Sequence, residues 1–272
     1  MSILDEIFGQ AKPIIGMVHL PALPGRCGYD GNGGIRKIIE SVSQDLKSLQ
    51  NNGIDGVIFC NEGDLPYLLK VGLEQATTMA AVIGEIRHLI KVPFGVNLLF
   101  DAEATLAVAM SVQARFVREV FTGVYESDMG WMQPAPGKLF DYREQIGANH
   151  IAIFNNICPE FAKSPGDRSI QDRAKIAEFF HSDAILVSGL AAGTSVSIRD
   201  LKEAKLSVNH TPIIANTGVR MGNLDEVMGI ADGMIIGTEF KRDGNTWNPV
   251  DPERVRKLVV RAAEIRSRLS ND

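Results

Sequence analysis

The chain is most informative at residues 211–242, where it reads TPIIANTGVRMGNLDEVMGIADGMIIGTEFKR. Two apolar runs, Pro212–Asn216 and Gly233–Ile236, are about five residues long and end in turns that contain Gly and Thr, as buried parallel strands do. Between them, residues Asn223–Ile230 are predicted to form a short helix with Asn223 as its N-cap. This order of strand, turn, helix, strand and turn is typical of the last two units of a (β/α)8 barrel.

The same alternation recurs along the rest of the chain. Six further strands are predicted at Pro13–Leu20, Ile54–Cys60, Val92–Leu99, Phe116–Phe121, His150–Ile157 and Ala184–Val187. Helices are predicted at Ile35–Gln50, Glu74–Ile90, Ala102–Val112, Leu139–Ile146, Ile170–Phe180, Ser195–Ala204 and Pro252–Leu269. Eight strand–helix units in 272 residues fit a closed parallel barrel. We therefore predict one α/β domain, a (β/α)8 TIM barrel over residues 1–272, with a short N-terminal helix at Ile3–Phe8.

An open doubly wound sheet is the alternative fold. It has less support, because no GxGxxG follows the first strand as it would in a dinucleotide-binding domain.

Composition limits the classes of function. The net charge of −5 and the pI near 5.6 argue against a nucleic-acid-binding protein, which would carry a basic face. No apolar run approaches the ~18 residues of a membrane span, and the acidic N-terminus does not resemble a signal peptide. Three widely separated cysteines, Cys27, Cys60 and Cys158, suggest reduced thiols. We therefore expect a cytoplasmic location.

The turns after the predicted strands indicate where a phosphate would bind. In TIM barrels the loops after the seventh and eighth strands often present backbone N–H groups to an anion, and glycine allows the close approach. We expect a phosphorylated small molecule, with its phosphate between Gly189, Gly218 and the pair Gly237 and Thr238. The alternative is that these glycines serve only tight turns. The full predicted substrate- and phosphate-binding set is Asn97, Asn155, Ser188, Gly189, Asn216, Thr217, Gly218, Gly237 and Thr238.

Three further residues at strand exits are candidates for catalysis: His19, Glu62 and Glu119. Glu119 lies in the apolar context FVREVF, where an unpaired buried carboxylate would be costly unless it faces a polar mouth, pairs with a cation or takes up a proton. His19 could act as an acid or base near neutral pH. Each has a structural alternative: a salt bridge inside the barrel for Glu119, a solvated loop carboxylate for Glu62, and a hydrogen-bonded core residue for His19.

No cofactor is clearly indicated. A divalent cation, Mg²⁺ or Mn²⁺, could bind to carboxylates among Glu62, Asp101, Glu119 and Asp128, although nothing in their spacing requires it. Asp101 and Asp128 are the metal-ligand candidates that are not also candidates for catalysis. The segment Thr122–Gly137 is longer than a simple connector, and its Met and aromatic residues could form a lid or a contact between subunits of a homo-oligomer.

Several motifs of the chain are similar to those of one known family. They are GMVHLPALPG at the first strand, FGVNLLFDAEATLAVAM at the third, RFVREVFTGVYESDMGWM at the fourth, SGLAAG at the sixth, ANTGVRMGNLDEV at the seventh and GMIIGTEFK at the eighth. They resemble the BtpA family over nearly the whole chain. The resemblance implies a TIM barrel related to phosphate-binding barrels, and it includes members connected with sugar metabolism and with photosystem I biogenesis.

Two functions follow as expectations. The first is an enzyme for a phosphorylated small molecule, such as a sugar phosphate, that moves a proton next to a carbonyl in isomerisation, epimerisation or aldol-type cleavage. There Glu119 or Glu62 would be the base, and His19 the acid or oxyanion donor. The second is a non-enzymatic assembly or biogenesis factor that uses the barrel to bind a partner.

Overall fold

The computed structural model describes residues 2–191 and 193–270. Within these residues it has eleven strands and nine α-helices. The strands are β1 (Ile14–His19), β2 (Gly56–Cys60), β3 (Phe94–Asn97), β4 (Phe116–Glu119), β5 (Tyr125–Ser127), β6 (Gly130–Met132), β7 (Ala152–Asn156), β8 (Ala162–Lys163), β9 (Ala184–Val187), β10 (Ile213–Ala215) and β11 (Gly233–Ile236). The helices are α1 (Ile3–Phe8), α2 (Gly34–Gln50), α3 (Leu73–Ile86), α4 (Ala102–Val112), α5 (Pro136–Gln145), α6 (Ile170–Phe179), α7 (Ile198–Ser207), α8 (Leu224–Ile230) and α9 (Pro252–Leu269).

Eight of the strands close into a parallel barrel, which confirms the predicted TIM-barrel fold. Their order around the barrel is β1, β11, β10, β9, β7, β4, β3 and β2. The last strand closes on the first, with Ile15 opposite Ile235 and Gly16 opposite Ile236. All eight carboxyl ends therefore lie on one rim, and the side chains that follow them meet there.

The pleat of each strand divides the core into two layers. Alternate residues such as Ile15, Phe116 and Phe154 fill the barrel interior. The residues between them, such as Val18 and Val117, pack outward against the surrounding helices in a larger cluster. Because successive side chains point to opposite faces, the position of one residue fixes the direction of its neighbour at the rim.

Helix α1 closes the opposite end of the barrel. Its residues Leu4 and Ile7 are buried with the interior cluster, and the Phe8 ring packs edge-on against Phe116 at 5.4 Å between centroids. Ser2 caps the helix by accepting a hydrogen bond from the Leu4 N–H group. The predicted N-terminal helix thus has a definite place, as a plug on the face remote from the strand exits.

Three local predictions differ from the structure. Thr122–Gly137 is not an irregular loop but contains a hairpin of β5 and β6, which β8 extends to a three-stranded antiparallel sheet. Tyr125 and Met132 are buried in it, so only part of its aromatic surface is exposed.

Helix α7 starts three residues later than predicted, because Ser197 caps it. Asn223 precedes α8, but its side chain bonds the Arg220 N–H and the Gly218 carbonyl instead of capping.

None of the helices formed by residues 2–191 and 193–270 combines the length and the apolar character that crossing a membrane requires.

Candidate active site

A cavity of about 230 Å³ opens at the rim formed by the carboxyl ends of the barrel strands. Seven of the predicted site residues line it: His19, Glu62, Asn216, Thr217, Gly218, Gly237 and Thr238. The lining of the cavity also includes Tyr67, Phe100, Arg118, Glu160, Phe161, Val219, Arg220 and Glu239. The closed sheet therefore brings residues 19, 62 and 238 to one mouth, although they are far apart in sequence.

His19 and Glu62 face each other across the exits of β1 and β2. The His19 Nε2 atom lies 3.9 Å from Glu62 Oε2, which is too long for a hydrogen bond but short enough for one bound hydroxyl to contact both. The side chains are each 11% exposed. Burial, with the positive charge of Lys241 nearby, lowers the pKa of His19 to about 3, so its imidazole is neutral near pH 7.

The pKa of Glu62 is shifted in the opposite direction from that of His19. Burial raises the pKa of its carboxyl, because the charged form is poorly solvated there. Tyr67 donates its hydroxyl to Glu62 Oε1 at 3.1 Å, which leaves Oε2 facing His19 with only the weak Cys60 thiol donor at 3.6 Å. A desolvated carboxylate with one free oxygen is suited to accept a proton.

Arg118 and Glu160 form a buried ion pair on the cavity floor. The Arg118 Nη2 atom lies 2.7 Å from Glu160 Oε1, and its Nη1 donates to Asn97 Oδ1 at 2.6 Å. Glu160 also accepts from Asn156 at 3.1 Å and from Asn216 at 3.3 Å. Among the described residues, Arg118 Nε and Asn216 Oδ1 are buried without a hydrogen-bond partner. The floor is thus a polar network that is nearly, but not fully, satisfied by the protein.

The loops after β10 and β11 form the opposite wall. Within residues 2–191 and 193–270, the N–H groups of Gly218, Val219, Gly237 and Thr238 donate to no protein acceptor. Arg220 follows directly, and its guanidinium makes no ion pair with the described residues. Free N–H groups beside a cation make a site that favours an anion.

Gly218 could not be replaced without moving this wall. Its φ is +61°, and a Cβ atom there would lie 2.3 Å from the Ser195 backbone. The loops after β9 and β10 are therefore packed backbone to backbone, which only glycine permits. Gly218 thus permits the tight turn and also presents an N–H group without an acceptor among the described residues. Its two predicted roles, in a tight turn and in phosphate binding, are therefore compatible.

Other predicted binding residues support the cavity without lining it. Gly189 donates its N–H to Thr217 Oγ1, so it has no free donor for a ligand. Ser188 accepts a hydrogen bond from Asn216 Nδ2 at 2.7 Å, and Asn97 bridges Arg118 and Glu119. Thr238 does line the cavity, and its hydroxyl shares a hydrogen bond of 2.8 Å with that of Thr246.

Glu119 and Asn155 lie outside the cavity for a common reason. Arg118 and Asn156 point into the barrel, so the pleat sends their neighbours Glu119 and Asn155 to the outer face. Asn155 is completely buried and bonds the Phe121 N–H at 2.9 Å, together with the hydroxyls of Thr122 and Ser182. It serves the sheet and does not reach a ligand.

Glu119 fastens the exit of β3. Its oxygens accept hydrogen bonds from Asn97 Nδ2 at 3.0 Å, from the Phe100 N–H at 2.7 Å and from the Val120 N–H at 2.6 Å. Burial raises its pKa to about 7, against the opposing effect of these donors. Glu119 therefore positions a rim loop, whereas the sequence analysis placed it among the catalytic candidates.

The four carboxylates considered for a metal do not converge. Asp101 caps α4 and pairs with Lys70 at 3.1 Å, while Asp128 is exposed in the hairpin turn. Among residues 2–191 and 193–270, no group of three or more His, Cys, Asp or Glu side chains is placed to hold a metal ion.

Lysine is not among the described residues that line the cavity. Lys241, which follows β11, is 2% exposed and bonds Asp45 of α2 at 2.6 Å on the far side of His19. It acts there on His19 through its charge.

Several residues of the cavity wall were not predicted as site residues, among them Tyr67, Phe100, Arg118, Glu160, Phe161 and Arg220. The strand pleat predicts that Arg118 and Glu119 point to opposite faces, but it does not tell which of them points inward. No sequence signal marked Tyr67, Glu160 or Arg220, since each lies in an irregular connection.

The BtpA family model matches residues 10–264, which is most of the chain. The chain belongs to the BtpA family. The sgc region protein SgcQ of Escherichia coli K12 is 43% identical over 267 residues, covering 98% of this chain and 100% of SgcQ. The photosystem I biogenesis protein BtpA of Synechocystis is 30% identical over 265 residues, covering 96% of this chain and 91% of that protein.

Solved structures support the barrel fold of this BtpA-family member. The (S)-3-O-geranylgeranylglyceryl phosphate synthase of Thermoplasma acidophilum, in complex with sn-glycerol-1-phosphate, matches with a TM-score of 0.62 at 13% identity over 97% of this chain and 99% of its own. The phosphoribosyl anthranilate isomerase of Thermus thermophilus matches with a TM-score of 0.57 at 12% identity over 93% and 99%. At such identities the likeness concerns the fold.

Proposed function

We propose that this protein is an enzyme that binds a phosphorylated sugar and moves a proton next to the sugar's carbonyl group. The reaction would be an isomerisation, an epimerisation or an aldol-type cleavage. One observation supports this most directly. One wall of the cavity carries N–H groups and an Arg220 guanidinium without partners among residues 2–191 and 193–270, and another carries a desolvated carboxylate beside a neutral imidazole.

The phosphate would lie against the N–H groups of Gly218, Val219, Gly237 and Thr238, with Arg220 closing over it. Glu239 also lines this end, but its carboxylate is paired with Arg254 at 3.1 Å, which reduces its repulsion of an anion. The structural neighbours include a synthase in complex with sn-glycerol-1-phosphate and a phosphoribosyl anthranilate isomerase, so barrels of this fold include proteins named for phosphorylated compounds.

From the neighbouring wall, formed by the exits of β1 and β2, Glu62 would remove the proton from the carbon next to the carbonyl. His19 would donate a hydrogen bond to the carbonyl oxygen as negative charge develops there; being neutral, it is a donor and not a strong acid. Glu62 replaces Glu119 as the base in this scheme, because Glu119 does not reach the cavity. A Schiff base has no support, since Lys241 is bound to Asp45.

Binding is tested by thermal unfolding with inorganic phosphate and a set of sugar phosphates. A ligand at 100 times its dissociation constant stabilises the protein by ~2.7 kcal/mol. Arg220→Ala should weaken binding about tenfold or more, because a charge-assisted hydrogen bond is lost. Arg242→Ala is the matched control, because Arg242 is exposed in the neighbouring connection, after β11, and does not line the cavity.

Chemistry is tested by ¹H NMR of a bound sugar phosphate in D₂O. Glu62→Gln should abolish exchange of the proton next to the carbonyl while leaving binding intact. If no phosphorylated compound shifts the melting temperature, the enzyme proposal fails. The assembly-factor alternative, which rests on the 30% identical photosystem I biogenesis protein of Synechocystis, would then take its place.

A further inference from the structure

Three aromatic side chains form one wall of the cavity: Tyr67, Phe100 and Phe161. The centroid of the Tyr67 ring lies 5.7 Å from that of Phe100 and 6.0 Å from that of Phe161, so Tyr67 packs against both other rings. They come from three separate connections, those after β2, β3 and β7. The proton-transfer scheme uses none of them, except for the Tyr67 hydroxyl that bonds Glu62.

The backbone beneath two of these rings is unusual. Phe100 has a φ of +67° and Phe161 a φ of +60°, in the left-handed region that bulky residues rarely adopt. Both are held there by hydrogen bonds: the Phe100 N–H donates to Glu119, and the Phe161 N–H donates to the Leu190 carbonyl at 3.0 Å. Strained positions persist where the surroundings fix them, and they concentrate at binding sites. Hydrogen bonds within the protein thus fix the backbone beneath the wall.

The aromatic wall lies across the barrel from the proposed phosphate site. In the closed order of eight strands, β3 is four places from β10, which is the opposite side. Phe100 follows β3 and Gly218 follows β10. A ligand that fills the cavity therefore has its anionic group at one end and an apolar surface at the other, with Glu62 between them.

The shape and polarity of the cavity limit what can lie on this wall. The plane of the Tyr67 ring is inclined by 68° to that of Phe100 and by 40° to that of Phe161. Neither pair of rings is parallel, so neither can sandwich a flat nucleobase. The volume of about 230 Å³ is below the roughly 300–1,000 Å³ of sites for larger ligands. The carboxylates of Glu62 and Glu160 face the space as hydrogen-bond acceptors, which suits a ligand rich in hydroxyl donors.

We infer, building on the proposed function, that this wall receives the C–H face of a cyclic sugar, so that the substrate is bound as a monosaccharide phosphate in its ring form. An aldose ring has apolar C–H groups on its faces and hydroxyl donors around its edge, which match the wall and the acceptors. The apolar contact orders the sugar over Glu62 while the phosphate is held at the far side.

Ring opening then precedes proton transfer at carbon. The anomeric hydroxyl gives its proton to the Glu62 carboxylate, the ring C–O bond breaks with its electron pair going to the ring oxygen, and that oxygen takes up the proton that Glu62 received. Glu62 returns to its charged form, ready to act on the open chain.

The test is a calorimetric titration of the full chain with matched pairs of ligands. Ribose 5-phosphate is compared with ribitol 5-phosphate, and glucose 6-phosphate with glucitol 6-phosphate; the alcohols have the same carbon number but cannot close a ring. Inorganic phosphate and adenosine monophosphate complete the series. We expect at least one cyclic sugar phosphate to bind about tenfold more tightly than its open-chain partner, and more tightly than the nucleotide.

Phe161→Leu should remove about three- to tenfold of the ring ligand's affinity and leave that of inorganic phosphate unchanged. Phe179→Leu, at an exposed position of α6, is the control. If Phe161→Leu does not fold, the series on the unaltered protein decides by itself. Equal affinity for ring and open-chain ligands, or tighter binding of the nucleotide, overturns this inference. Binding of inorganic phosphate alone also overturns it but leaves the phosphate site standing, whereas the absence of all binding removes the proposed function.

Discussion

At the scale of single residues, position within the pleat decides which polar groups reach the cavity. Arg118 and Glu119 are adjacent, yet one lies in the cavity wall and the other fastens a loop behind it. Both are buried charges, so their energetic roles can be separated by mutation.

Glu119 should give the protein a characteristic pH dependence. Its folded-state pKa of about 7 lies above the 4.5 of an unperturbed glutamate, so the native state holds the proton more tightly than the unfolded chain. The contribution of Glu119 to stability is therefore largest below about pH 4.5 and falls as the pH rises to about 7, by roughly 3 kcal/mol. His19 contributes with the opposite sign, because its lowered pKa makes the native state lose stability as the pH falls below about 6.5.

Urea unfolding between pH 4.5 and 8 measures that slope. The difference in slope between the unaltered protein and Glu119→Gln isolates this residue, since Glu62, whose pKa is also raised, and His19, whose pKa is lowered, contribute equally to both. The variant should lose less stability than the unaltered protein as the pH rises through this range. Glu126→Gln, at an exposed position of β5, should leave the slope unchanged. A slope that is the same in Glu119→Gln and in the unaltered protein would contradict the assignment.

Removing only one partner of the buried Arg118–Glu160 ion pair should destabilise the protein. Arg118→Met leaves the Glu160 carboxylate buried without its cation, for which we expect a loss of about 3–5 kcal/mol in the free energy of unfolding. Denaturant unfolding of both single variants and of Arg118→Met with Glu160→Gln gives the coupling energy. The exposed pair Arg256–Glu253 is the control and should contribute less than about 1 kcal/mol. Additive losses for the buried pair would refute the coupling.

At the scale of secondary-structure elements, the Lys241–Asp45 pair joins the segment after β11 to helix α2. Asp45 also accepts the Val250 N–H at 2.8 Å, so one carboxylate holds two points of the closing segment. The pair lies behind His19 and keeps a positive charge near the imidazole.

Removing that charge should make His19 easier to protonate. Lys241→Met is expected to raise the pKa of His19 above about 3, as followed by the imidazole signals in NMR spectra over a pH series. It should also destabilise the protein by about 3–5 kcal/mol, because Asp45 loses its partner. Lys37→Met, which breaks an exposed pair with Asp30, is the control for both measurements. An unchanged His19 pKa would show that burial alone sets it.

At the scale of the whole molecule, closure of the sheet makes the two ends of the chain depend on each other, because β1 pairs with β11. We therefore expect residues 1–272 to unfold in a single transition, consistent with the predicted single domain. Calorimetry tests this: the measured enthalpy should equal the van't Hoff enthalpy. Two separate heat-absorption peaks would indicate two folding units.

The sequence was sufficient for the architecture, because eight apolar runs alternating with amphipathic helices leave few ways to bury both kinds of face. It also identified most of the residues that follow the strands. It did not determine which of two neighbouring polar residues points inward, as at Glu119 and Asn155, because the strand phase depends on barrel packing. Nor did it indicate Tyr67, Glu160 or Arg220, whose positions are set by irregular connections that carry no periodic signal.

The contact between Gly218 and the Ser195 backbone bears on any attempt to redesign the protein. Variants randomised at Gly218 would mostly fail to fold, since there is no room for a side chain at that position. The three aromatic positions across the mouth are where diversity can be introduced, because they surround open space. Selection for new ligands from this scaffold should therefore vary the aromatic wall and retain the backbone of the proposed phosphate site.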